Sequence, residues 1–174
     1  MEKRAVDRGS PAYLQDKVGA GRHSLLLIIV FTLVNLAMVL LDSGVYFLFS
    51  ASVPYYLTLY CKGMDNFFME GDWPVNGPYT NLALLISAVI LLLFLLCWLL
   101  SGKHTLWLIP AVVLLVLDTL ALVWCAVYLV YNPADTIVDF LVHFWALWEL
   151  IRDIRCGGRL KKLPPAELPV LTEE

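Results

Sequence analysis

Four long apolar stretches, 24–41, 82–100, 106–131 and 136–151, dominate this chain. Each reaches or approaches the roughly 20 residues that cross a ~30 Å hydrocarbon core at 1.5 Å per residue. Whole helical circumferences within them are apolar, so lipid is the solvent that suits them, and a helix is the backbone that crosses it. With 60% hydrophobic and 16% charged residues and a mean hydropathy of +0.77, the chain is too apolar for a soluble fold of 174 residues. The expected fold class is all-α: a bundle of four transmembrane helices with an aromatic extracytoplasmic loop over 42–81. A basic arm, 1–23, precedes it and a tail, 152–174, follows.

Charge gives the orientation. Lys3, Arg4, Arg8, Lys17 and Arg22 lie in the arm, Lys103 in the turn 101–105, and Arg152, Arg155, Arg159, Lys161 and Lys162 in the tail. Lys62 alone lies in the outer loop, so four spans put eleven of the twelve Lys and Arg residues on one side. The positive-inside rule then places both termini in the cytoplasm. Segment 136–151 is the least apolar, because it holds Asp139, His143 and Glu149, and an interfacial helix is its alternative. Leaving it outside would strand the basic cluster that follows, which favours a span. The first apolar run, eighteen residues behind a long arm with three acids, reads as an uncleaved helix and not as a signal peptide.

Several chemistries lack their residues. No C-x-x-C occurs among Cys61, Cys97, Cys125 and Cys156, so neither thiol–disulfide exchange nor a usual zinc site is expected. Basic residues are few and flank apolar segments, which gives no footprint for a nucleic acid. No cofactor, metal or catalytic residue is expected; the lipid bilayer is the partner, with a membrane-protein partner or a second copy as a further one.

Ionisable groups inside spans carry the functional question, because each is costly there. Asp118 stands mid-segment with Ala111, Ala121 and Cys125 on its face. Asp135, Asp139 and His143 recur at helical spacing, as do Thr32, Asn35 and Asp42, and Ser87 marks a small-residue face with Ala83. Depth counting makes a polar layer of Asn35, Ser87, Asp118, Asp139 and His143 possible. Two readings stand: interhelical glue, with Asp118 bonded to His143 or Asn35, or a proton or cation path in a small oligomeric transporter or channel.

The outer loop is rich in rings. Ser52-Val53-Pro54 reads as a helix start with a Ser cap, and a short helix over 55–62 is expected to lie flat across the bundle mouth. Tyr55, Tyr56, Tyr60 and Trp73 are candidate docking aromatics, or an interfacial anchor. In the tail, Arg152, Arg155, Arg159 and Lys162 share a helical face toward anionic headgroups, with Lys161 beside them, provided the helix survives Gly157-Gly158. Glu149 is spaced to pair with Arg152. Residues 163–169, Pro-rich, then favour extended chain.

The stretch Tyr46-Phe47-Leu48-Phe49-Ser50-Ala51-Ser52-Val53-Pro54-Tyr55-Tyr56-Leu57 resembles one in small four-span membrane proteins of Firmicutes bacteria. Residues 143–150 and 160–165 are similar to their carboxy-terminal end. The resemblance implies a bacterial plasma-membrane location and transfers no catalytic residue. The leading expectation is a non-enzymatic scaffold or accessory subunit; the alternative is the proton- or cation-coupled transporter using Asp118 and His143.

Overall fold

The computed structural model describes residues 10–47, 49–68, 77–128 and 133–163, and six α-helices with one 3-10 turn account for most of them. Trp73, Gly71 and Pro74, the connection 129–132, the basic residues before Ser10 and the Pro-rich end from Pro164 lie outside that description, as does the side chain of Asp135. Among the described residues no strand occurs.

Helix α1 (Pro11–Lys17) opens with Ser10, whose hydroxyl accepts from the Tyr13 N–H, and with Pro11 in the first turn, where a missing N–H costs nothing. Part of the basic arm is therefore helical. Helix α2 (Ala20–Leu40) follows, then α3 (Ser52–Phe68), α4 (Pro78–Ser101), a 3-10 turn at Thr105–Trp107, α5 (Leu108–Tyr128) and α6 (Pro133–Leu160). Three of these stretches are long and apolar enough to cross a membrane: Pro11–Leu40, Pro78–Ser101 and Thr105–Val127. Their outward faces carry exposed leucines and valines such as Leu85, Val89, Leu117 and Leu120, which only an apolar solvent suits.

The core joins α2, α4, α5 and α6 through Leu25, Ile29, Phe94, Leu108, Leu115 and Leu150, all buried. Ala51, just before α3, belongs to the same cluster and is fully buried. Helix α3 therefore does not lie flat over the bundle mouth as the loop's aromatics led one to expect. It runs for 17 residues, twice the expected length, and its first residues sit among α2, α5 and α6. The physical reason is electrostatic: Ser52 and Val53 present bare N–H groups, and Asp118 presents the carboxylate that accepts them. The Ser52 hydroxyl is not the cap.

Helix α6 passes unbroken through Gly157-Gly158. Gly157 lies against Thr105, where a Cβ would stand 2.6 Å from the threonine hydroxyl, so close packing with the 3-10 turn replaces helix propensity as the reason for glycine. Arg152, Arg155 and Arg159 consequently share one helical face, and Lys161 and Lys162 fall in the turn after it. Arg152 pairs with Glu149, as the spacing predicts. At the same end, Arg22 donates to Ser101 at 3.1 Å and packs on the Trp98 ring, while Asp153 of α6 accepts from the Gly19 N–H at 3.0 Å.

Candidate functional site

The centre of the molecule is the start of α3. Asp118 is the middle residue of α5, ten residues from either end. Its Oδ2 accepts from the Ser52 N–H at 2.7 Å and its Oδ1 from the Val53 N–H at 2.8 Å. Two otherwise orphaned donors are satisfied by one carboxyl group from another helix, at the positive end of the α3 dipole. The His143 Nε2 lies 2.9 Å from the same Oδ2.

Proton bookkeeping follows from the second ring nitrogen. The His143 Nδ1 is 2.9 Å from the Asp139 backbone carbonyl, a group that only accepts, so Nδ1 carries a hydrogen. Nε2 and the Asp118 carboxyl then need one further proton between them. The pair is closed in its singly loaded form, whichever atom carries that proton.

Asp139 is the third ionisable member. Its Oδ2 accepts from the Tyr46 hydroxyl at 2.7 Å and lies 3.5 Å from that of Ser52. Its Oδ1 is buried with no hydrogen-bond partner, 3.8 Å from His143 Nδ1. Asp118, Asp139 and His143 are each no more than 4% exposed.

The remaining members of the expected layer hold the chain that leads into this centre. Asn35 bonds neither carboxylate: its amide donates to the Phe47 carbonyl and the Ser50 hydroxyl, both at 2.7 Å, and accepts from the Phe47 N–H at 2.8 Å. Thr32 accepts from the Ala51 N–H at 2.8 Å. Ser87 lies 3.4 Å from the Pro54 carbonyl, which Thr58 also bonds. Five expected residues thus fall in one buried region, but Asp118, Asp139 and His143 form the cluster, while Asn35 and Ser87 support the segment around it.

The docking aromatics divide. Tyr55 turns inward, its ring 4.5 Å from that of Tyr46, and Tyr56 meets Tyr55 edge-on at 5.1 Å; both are half-buried, whereas Tyr60 is exposed. Trp73 is among the residues not described. Sequence reasoning missed Tyr46 and Ser52 as partners of the cluster. The helix-start signal at Ser52 was visible; its destination was not.

A second remote cap lies at the outer end. Asp65 of α3 accepts from the N–H groups of Tyr79 and Thr80 at 3.1 and 2.7 Å and from the Thr80 hydroxyl at 2.5 Å, at the start of α4. Burial pushes this carboxyl up, but the Thr80 and Tyr79 hydrogen bonds outweigh it and hold the group below the ordinary 3.8. Lys62 donates to the Val39 and Leu40 carbonyls at the end of α2 and pairs with Asp42, so the one basic residue of this loop serves a helix C-terminus.

Fold and site together define an all-helical protein with three helices fit to cross a membrane and a buried carboxylate–imidazole cluster at a helix start. No family model, curated protein or solved structure matches the chain.

Proposed function

We propose that this is a multi-pass protein of a bacterial plasma membrane that couples transport of a small solute to proton movement. In this reading α2, α4, α5 and α6 span, both termini are cytoplasmic, and α3 is a half-helix that begins at mid-depth, where the chain re-enters from outside, and runs back outward. The outward face of α6, with Ile137, Leu141, Phe144 and Trp148 exposed, supports lipid around the fourth span. The clustering of Arg22, Arg152, Arg155 and Arg159 at the bundle end opposite Lys62 supports the orientation.

The observation that carries transport is the placement of His143, Asp118 and Asp139 around the N-terminus of α3. Half-helix ends near the bilayer midplane are where transporters bind solutes and coupling ions, and ionisable groups there are retained at a cost. A cap alone would need only one carboxylate. The completeness of the Asp118 hydrogen bonds favours a second reading, an accessory subunit in which the cluster is glue.

The test is reconstitution of the full chain in liposomes, with pools of small metabolites offered under an inward proton gradient. Gradient-dependent uptake of one pool is expected. Absence of both uptake and proton flux, with a stoichiometric foreign partner crosslinked in native membranes, would replace transport by the accessory role.

A further inference from the structure

Resting on the transport reading, we infer that Asp139, and not Asp118, is the carboxyl group that takes up and releases the proton, with Tyr46 as its link to the outer surface. The two aspartates sit in the same cluster but differ in how their oxygens are used. Both oxygens of Asp118 accept backbone N–H groups, and one also faces His143. Both oxygens hold the start of α3, and the ionised carboxyl is the stronger acceptor for those N–H groups. A proton shared with His143 stays within that pair, so Asp118 is a positioning residue.

Asp139 has no such duty. One oxygen takes the Tyr46 hydroxyl; the other, Oδ1, is buried and has no partner. A buried, unpaired carboxylate oxygen is expensive in its ionised form, and adding a proton there breaks no existing bond. The neighbouring imidazole does not fill the gap, because its Nδ1 hydrogen is committed to the Asp139 carbonyl. Other titratable groups face Asp139 from each packed element: Tyr46 from the segment before α3, Tyr55 and Tyr56 from α3, Asp118 from α5, and His143 from its own helix, while Cys125 of α5 faces Asp118 and Tyr56. His143 is the sole cation-forming group among them, and its second nitrogen is engaged with Asp118. Among the described residues, the side chains of α2 and α4 that hydrogen-bond this segment and the start of α3 are the uncharged Thr32, Asn35 and Ser87.

Tyr46 supplies the route. Its hydroxyl reaches Asp139, its ring lies tilted against that of Tyr55, and the residue is partly exposed in the segment before α3. A proton taken from water outside passes to the Asp139 carboxylate beside this hydroxyl and leaves a neutral acid.

The experiment is infrared spectroscopy of the full chain in phosphatidylethanolamine–phosphatidylglycerol vesicles, following the C=O stretch of a protonated carboxylic acid against pH. Wild type is expected to show a band that disappears on titration, Asp139→Asn to lack it, and Asp118→Asn to keep it. Because Asp118→Asn risks failing to fold, Tyr46→Phe provides a second arm. Loss of the hydroxyl on Oδ2 shifts the frequency of an Asp139 band and leaves an Asp118 band unmoved. A band that survives in Asp139→Asn, or that Tyr46→Phe does not shift, overturns the assignment. An Asp139 band in a protein that moves no solute leaves the assignment standing and removes the transport reading.

Discussion

The starts of α3 and α4 are built alike: an aspartate from another helix accepts the N–H groups of two consecutive residues. At α4 the remaining bond to Asp65 comes from the Thr80 hydroxyl, a group that does not titrate near neutral pH. At α3 the corresponding position beside Asp118 is taken by His143, and Asp139 stands next to it. The outer example demonstrates that one carboxylate and one hydroxyl suffice to start a helix here. The imidazole and the second acid at α3 exceed what capping needs, and the proposed transport rests on that excess.

The comparison breaks most easily at α3. Asp118→Ala strips the acceptor from two buried N–H groups and leaves His143 without its partner, and we expect a loss of about 3–5 kcal/mol. Unfolding in mixed micelles measures it. Asp65→Ala is expected to cost clearly less, because both caps are buried but only the loss of Asp118 leaves an imidazole without its partner, and equal losses would mean that His143 adds nothing to the α3 cap.

Next comes the chain that delivers α3 to its site. Asn35→Ala removes both bonds to Phe47 and one to Ser50, at an expected cost of about 1–3 kcal/mol. Its signature is local: hydrogen exchange at the Phe47 amide quickens on the order of tenfold or more while the α4 amides stay protected. Uniform acceleration through the molecule would make Asn35 a general packing residue.

The outer cap yields a non-additivity. A Cβ on Gly77 would overlap the Asp65 carboxyl, so Gly77→Ala expels the same cap that Asp65→Ala deletes. The double variant is expected to be no less stable than the worse single one in thermal unfolding. Additive losses would give Gly77 a separate role.

The smallest effect is acid sensitivity. The folded state holds the Asp65 carboxyl below its unfolded value, so its contribution is complete above that value, near 3.8, and is lost as pH falls through the lower folded one. Asp65→Asn is therefore expected to flatten stability against pH below about 4 and to change its slope little near neutrality. An unchanged acid limb would put that sensitivity elsewhere.

Much of this was legible in the chain. Asp118, Asp139 and His143 announced one another because apolar spans fix depth, and helical spacing fixes face. Glu149 and Arg152 are three residues apart and meet as spacing dictates. The start at Ser52 was equally plain, yet its cap lies 66 residues away, so no local rule reaches it. Asp65 gave no signal at all, since its meaning depends on where α4 begins. The break suggested by Gly157-Gly158 failed for the same reason: Thr105 is a neighbour only in space.

The sequence by itself determined the solvent, the helical class and the segregation of charge, because these follow from hydropathy and from backbone groups that lipid leaves unsatisfied. The tertiary structure alone decided that a loop read as a lid sends a helix start into the bundle. Bare N–H groups are identical in every helix, and only the approach of a particular carboxylate chooses where they end.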